Sequence, residues 1–311
     1  MVVAAGSPTL LLTAKAKWRM LKNMTAVDKL RIEQTKYAPV FRGIDPAVQT
    51  LYVQSDNLDD LLTRPRVAIV GSRKVTPYGK QVTEQFAAEL ARQGIVVISG
   101  LAYGVDSIAH QAALDAGGLT IAVLPSSIEH IYPRGHTGLA RRITEQGGAL
   151  ISEYPATTDI AYKNQFIERN RIVCGMSNVL LITEAAVNSG TMHTARYALE
   201  QGKDVLAVPG NITSPTSAGT NNLIKTGAAL ASSPDDVLHL LGLQPANITK
   251  TVTGDTAQEQ LILDLIAKDI TDGNQLLERS SLGVSQFNHA LTMMEITGKV
   301  RALGANQWAI H

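Results

Sequence analysis

Six short apolar runs punctuate the middle of the chain, and between them the apolar residues return every three or four positions. The runs are RVAIVG (66–71), IVVISG (95–100), LTIAVLP (119–125), GALISEYP (148–155), NVLLITEAA (178–186) and DVLAVPG (204–210). Each is short, β-branched and apolar at successive positions, the pattern of a strand buried on both faces. Between the first two lies YGKQVTEQFAAELARQG (78–94), whose Val82, Phe86, Ala87 and Leu90 fall on one helical face. After the second comes DSIAHQAALDAGG (106–118), with Asp106 as the expected N-cap and the glycines as the stop. Such alternation predicts an α/β fold: an extended, Rossmann-like, doubly wound and mostly parallel sheet over about residues 37–240.

The flanks carry different patterns. SPDDVLHLLGLQPANITKTVTG (233–254) closes a helix and becomes a polar linker, placed at 241–254. Residues 255–311 then read helix, helix, turn, helix and a short hairpin, the order of a winged helix. Its expected recognition helix, SQFNHALTMMEITG (285–298), has only His289 and Glu295 as groups able to carry charge. Gripping duplex phosphates needs more cations than that, so a protein-contact or structural role is expected there. Residues 1–36 are expected to be a short basic helical segment, from AKAKWRMLKNM (14–24), too small to be a domain.

Charge and composition narrow the function. There are 28 basic and 27 acidic side chains, a net charge of +1, so any contact with nucleic acid must come from a local cluster. Cys174 is the only cysteine, which excludes an internal disulfide and a cysteine-based zinc site, and suits a small core residue. The seven histidines show no metal-binding spacing, so no metal is expected. The apolar-then-basic start is the reverse of a secretory signal and no apolar run is long enough to span a bilayer; a cytoplasmic protein without membrane contact is expected.

The chemistry should gather where strands feed loops at their carboxyl ends. GSRKVTPYG (71–79), GLAYGVD (100–106), AVNSGTMHTA (186–195) and PGNITSPTSAGTNNLI (209–224) are rich in small and hydroxyl residues, which let backbone N–H groups approach an anion. None is a GxGxxG and none carries a Walker lysine, so neither a dinucleotide cofactor nor nucleoside-triphosphate chemistry is indicated. Gly71, Ser72 and Arg73 close the first strand, where the Arg73 guanidinium can fork onto a phosphate or form a surface ion pair. YKNQFIERNRIVCG (162–175) threads an aromatic ring among cations and amides. Lys163 and Phe166, three apart, share a helical face, and an ammonium beside a ring is the unit of single-strand binders; core packing is the competing role for Phe166. Arg169 and Arg171 cannot share a face, so one of the two should bond internally, with Asn170 between them.

Taken in order, several motifs resemble the DNA-processing protein A (DprA/Smf) family. They are LYVQSDNLDDLLTRPRVAIVGSR, ISGLAYGVDSIAHQAAL, TIAVLPSSIEHIYP, LISEYP, FIERNRIVCGMSNVLLITEAAVNSGTMHTARYALEQGKDVLAVPGN and GTNNLIKTGA. The resemblance runs from about Tyr37 to Val237 and more weakly through the winged helix. It implies a non-enzymatic protein that binds single-stranded DNA, forms a homodimer and recruits a RecA-type recombinase during DNA uptake and natural transformation. It also implies roles in single-strand binding for Arg73, Lys163 and Phe166. The expected DNA-binding set is Gly71, Ser72, Arg73, Lys163, Phe166, Arg169, Asn170, Arg171, Ser189, Gly190 and Thr191.

Three departures from the family pattern stand out. Ile167 replaces a proline, which should shift the helix start; Tyr103 replaces a common arginine; and the small N-terminal helical domain of many members is expected to be missing. The alternative is a nucleoside-monophosphate phosphoribohydrolase-like enzyme on a related scaffold, with Glu184 and Glu168 as its candidate acids. That family's PGGxGTxxE element is missing here.

Overall fold

The computed structural model describes residues 27–158, 162–244, 253–268, 270–304 and 306–310. These fall into two compact units, divided between residues 245 and 246. The larger holds a nine-stranded sheet in the order β1-β2-β6-β5-β4-β3-β7-β8-β9. The strands are β1 (Asp28–Arg31), β2 (Thr50–Gln54), β3 (Arg66–Val70), β4 (Val96–Ser99), β5 (Thr120–Leu124), β6 (Ala149–Ser152), β7 (Val179–Ile182), β8 (Asp204–Ala207) and β9 (Ala229–Leu230). From β6 to β9 neighbouring strands pair in parallel, whereas β2 pairs antiparallel with both β1 and β6.

The six apolar runs are the six central parallel strands, and their side chains alternate between two cores. Ala68, Ile98, Ile121, Ile151 and Leu180 face one, with α1 (Leu58–Thr63), α5 (Lys163–Met176), α6 (Thr191–Glu200) and α7 (Ala218–Lys225) over them. Val67, Ile69, Val97, Val179 and Leu181 face the other, under α2 (Pro77–Arg92), α3 (Val105–Asp115) and α8 (Pro234–Leu240). Leu124 and Leu150 extend this second core beneath α4 (Thr137–Glu145). Each such fully buried Val, Leu or Ile contributes about 1.5–3 kcal/mol relative to exposure, so the strand runs outweigh local propensity.

Helix α2 shows how the sequence sets an element. Thr76 caps it by accepting from Gly79 N at 3.1 Å, Pro77 occupies the first turn, and Gly94, at φ +78°, turns the chain after it. Phe86, Ala87 and Leu90 are its buried face. Helix α3 departs from expectation, since Gly104 rather than Asp106 precedes it. The buried Asp106 carboxylate instead accepts from Gly100 N (3.1 Å) and Ala102 N (3.4 Å), bracing the loop after β4.

The amino-terminal expectation also changes. Residues 1–26 lie outside the described residues, but Asp28–Arg31 forms an edge strand rather than a helix. Leu30 and Ile32 alternate with Lys29 and Arg31, a period of two that suits a strand. Its charges blunt an edge that would otherwise pair with another chain. Linker residues 245–252 lie outside the described residues as well.

The smaller unit contains α9 (Ala257–Ile266), α10 (Gly273–Ser280), α11 (Val284–Ile296) and a hairpin of β10 (Val300–Gly304) and β11 (Gln307–Ile310), the winged-helix order. Ile262, Leu276, Phe287, Leu291, Met294 and Val300 form its core. Lys299, at the foot of the hairpin, is held at 2.7 Å by both Asp255 and Glu259, which neutralise it.

Candidate nucleic-acid interface

The strand order reverses between β3 and β7: β4 to β6 lie on one side, β8 and β9 on the other. A crevice at such a switch point is the expected ligand site of an open parallel sheet. Here two loops are stitched across it. Ser72 N donates to Glu184 O at 2.8 Å, and the Thr191 hydroxyl donates to Gly71 O at 3.0 Å. Gly71 is needed for this closeness, because a Cβ there would stand 2.6 Å from Val105 Cγ2 and 2.7 Å from Glu184 O.

Glu184 is the centre of the stitching. Its buried carboxylate accepts from Thr76 N at 3.1 Å and from the Thr76 hydroxyl, while its main-chain oxygen holds Ser72. One residue of the loop after β7 thus fixes both ends of Ser72–Thr76, the segment that carries Arg73. This role was absent from the expected site set, and the candidate acid is committed to it.

Arg73 is exposed, and its guanidinium carbon lies 5.1 Å from the centre of the Phe166 ring. Phe166 is half-buried and meets Tyr132 edge-on, with centroids 5.2 Å apart at 74°. Lys163 is the first residue of the same helix, one turn before Phe166. With Ile167 in place of proline the backbone N–H is present there, and the helix extends back to Lys163. Gln165 Oε1 accepts from Tyr162 N at 2.5 Å at this start.

Tyr132 was not singled out from the sequence. It is 46% exposed on the loop after β5, where the strand-end rule alone would have flagged it. Arg134 follows on the same loop; it, Arg73 and Lys74 are exposed and join no ion pair among the described residues. Tyr103 packs edge-on against His136 (4.7 Å, 65°), whose Nδ1–H donates to Leu101 O at 2.8 Å. The loop after β4 therefore presents an exposed aromatic ring at this edge.

The Arg-Asn-Arg element differs from the expectation that only one arginine is internal. Arg169 is 3% exposed and Arg171 5%. Arg169 donates to Gly100 O at 2.5 Å, to Val123 O, and to Asn170 Oδ1 at 3.1 Å. Asn170 in turn donates to the Thr194 hydroxyl at 2.9 Å. Arg171 donates to Glu153 through Nη2 alone, 2.7 Å from each carboxylate oxygen, while its Nε and Nη1 are buried without a hydrogen-bond partner. From Arg169 onward α5 is buried around almost its whole circumference, with Ile172, Val173, Cys174 and Met176 in the core, so both guanidiniums face the interior. The Arg169 and Arg171 side chains are thus held in the interior, and the half-buried Asn170 is tied to Thr194. Burial pulls the Arg169 pKa down to about 10, opposed by Asp106 and aided by Arg73, so it stays charged at neutral pH.

Of the remaining expected residues, Gly190 is exposed at the start of α6, Thr191 is buried in its bond to Gly71, and the Ser189 hydroxyl is buried without a hydrogen-bond partner. Gly71, Ser72, Arg73, Phe166 and the 189–191 loop are thus gathered at one sheet edge. Cys174 is a core residue whose thiol donates to Thr194 O at 3.3 Å, and burial raises its pKa to about 12.

This fold matches a known class. The family model for DNA recombination-mediator protein A matches residues 29–242, and that for the DprA winged helix domain matches residues 225–306. The chain belongs to this DprA/Smf family. It is 38% identical over 250 residues to Protein Smf of Escherichia coli, covering 76% of this chain and 66% of that one. It is 42% identical over 185 residues to the putative DNA processing protein DprA of Mycobacterium tuberculosis, covering 60% of this chain and 47% of the relative. The chain therefore spans from about half to just under two thirds of the length of these relatives. Among solved structures, DNA processing protein A of Streptococcus pneumoniae superposes with a TM-score of 0.64 at 35% identity, covering 72% of this chain and 77% of that one. The Helicobacter pylori protein, solved for its single-stranded DNA binding mode, superposes with a TM-score of 0.62 at 33% identity, covering 70% and 97%. No helix among the described residues is long and apolar enough to cross a membrane.

Proposed function

We propose that this chain binds single-stranded DNA at the carboxyl edge of its sheet, without catalysing a reaction. The observation that carries this is the Arg73 guanidinium beside the Phe166 ring at the switch point. A cation offers itself to phosphate and a ring to a base face, which is what sequence-tolerant single-strand binding requires. The single-strand binding named for the Helicobacter pylori protein supports it. Lys163, at the start of the same helix, adds a second cation, and Arg134 a third.

By kinship with the family, the bound strand is delivered to a RecA-type recombinase during DNA uptake, the working form is a homodimer, and the compartment is the cytoplasm. The winged helix serves protein contact, consistent with its neutralised Lys299 and charge-poor α11. A phosphoribohydrolase-like activity is disfavoured because the Glu184 carboxylate is spent on Thr76.

The test is binding to single- and double-stranded oligonucleotides of equal length across a salt series, with nucleoside-monophosphate hydrolysis as control. Single strands should bind more tightly, with affinity falling as salt rises because phosphate neutralisation releases counterions. Equal affinity for both forms, or no salt dependence, would sink the proposal.

A further inference from the structure

A second cavity opens on the same sheet edge, on the far side of the switch point from Phe166. It measures about 600 Å³ and is lined by Thr76, Pro77 and Tyr78 from the start of α2, and by Pro209, Gly210, Asn211, Ser214 and Ser217 from the loop after β8. That volume suits a small-molecule-sized group. No charged side chain lines it, so its occupant is recognised by shape and by neutral hydrogen bonding rather than by charge.

The walls are fixed in advance. The Tyr78 hydroxyl donates to Pro209 O at 2.7 Å, which pins the ring across the two loops while leaving it 47% exposed. Asn221 clamps the floor, accepting from Gly210 N at 3.1 Å and donating to Gly210 O at 3.0 Å. Gly210 keeps that floor open, since a Cβ there would stand 2.6 Å from Ser217 Cβ. Asn211 folds the lip by accepting from Thr213 N and the Thr213 hydroxyl at 2.9 and 2.8 Å. The next residue, Ile212, is 91% exposed, an apolar side chain held out over solvent beside the cavity.

We propose that this cavity is a second base-binding subsite, taking a nucleobase of the same strand that stacks on Phe166. This rests on the single-strand function proposed above. A nucleobase is flat, uncharged and rich in hydrogen-bonding edges, which fits a lining of one tethered ring, small hydroxyl and amide residues and no charge. The geometry connects the two places. Arg73 and Tyr78 lie on one continuous segment, and β3 and β8 are two positions apart in the sheet, about 10 Å at the usual strand spacing. A chain of a few nucleotides crossing the carboxyl edge passes Phe166, then Arg73, then Tyr78, within the ~4–16-nucleotide footprint of single-strand sites.

Oligothymidylates of about 2 and about 16 nucleotides, one too short to span the two places and one at the upper end of that range, separate the subsites. Tyr78→Ala should weaken binding of the long strand about 10-fold, the loss of one stacked base, and leave the short one unchanged. Tyr78→Phe keeps the ring and should bind both nearly as the parent does. A 5-iodouracil stepped along the long strand should photocrosslink to Tyr78 at one set of positions and to Phe166 at another. Equal losses on both lengths, no loss on either, or no crosslink to Tyr78 overturns the subsite. If Phe166→Ala is felt while Tyr78→Ala is not, only the second subsite falls. If Phe166→Ala is silent on both lengths, the single-strand function falls and the subsite with it. Thermal melts of the Tyr78 variants report whether the exposed ring was needed for folding.

Discussion

Arg73 and Phe166 stand 5.1 Å apart, guanidinium carbon to ring centre, one from the loop after β3 and the other from the first turns of α5. A cation over a ring face at an exposed site contributes about 0.5–1 kcal/mol, so the pair is a weak lid over that face. An incoming base can share the ring while the guanidinium swings to the adjoining phosphate.

Arg73→Ala should therefore weaken single-strand binding and lower the salt slope by about 0.7, one phosphate contact on a single strand. Lys163→Glu should act in the same direction and more strongly, because it substitutes repulsion for attraction. Titrations at several salt concentrations check both, and unchanged affinity in both variants would move the site away from this crevice.

Phe166→Ala separates stacking from packing. The ring is half-buried and touches Tyr132 edge-on, so its loss should cost about 1–3 kcal/mol of binding with the salt slope unchanged. A core phenylalanine would instead cost about 3–5 kcal/mol of stability. One thermal melt and one titration of the same variant distinguish the outcomes.

Arg171→Ala should behave as a stability variant. It leaves the Glu153 carboxylate without its ion-pair partner in a mostly buried site, a loss of about 3–5 kcal/mol. Denaturant unfolding should show the loss, while the folded fraction binds single strands with the parent's affinity and salt slope.

Ending the chain at Gln244 should leave single-strand binding largely intact. The winged-helix unit has its own core and a Lys299 already paired with two carboxylates. A large loss of affinity in a truncated protein that still melts cooperatively would assign the wing a direct part in binding.

The central sheet was legible in the sequence because six runs of consecutive apolar residues admit few other structures. Strands β1 and β2 were not, since both interrupt their apolar residues with polar ones and pair antiparallel outside the repeating strand-helix rhythm. Arg73 was singled out by its placement at a strand end, and Phe166 by its spacing of three from Lys163 among cations and amides. Arg169 and Arg171 were harder, because a guanidinium suits main-chain carbonyls and a buried carboxylate as well as it suits phosphate. Only the burial of α5 decides between these partners. The role of Glu184 depends on which loops meet across the switch point, and no local pattern records that.

Glu184 belongs to the loop directly following β7, and β7 lies between β3 and β8 inside the sheet. Because this residue anchors both ends of Ser72–Thr76, tension on a strand held by Arg73 is not absorbed by a yielding surface loop. It passes through Glu184 into the parallel ladder, where several strands share the load. Under the proposed function, the crevice is a mechanical anchorage: the nucleic acid could be pulled taut while the protein around its grip kept its shape.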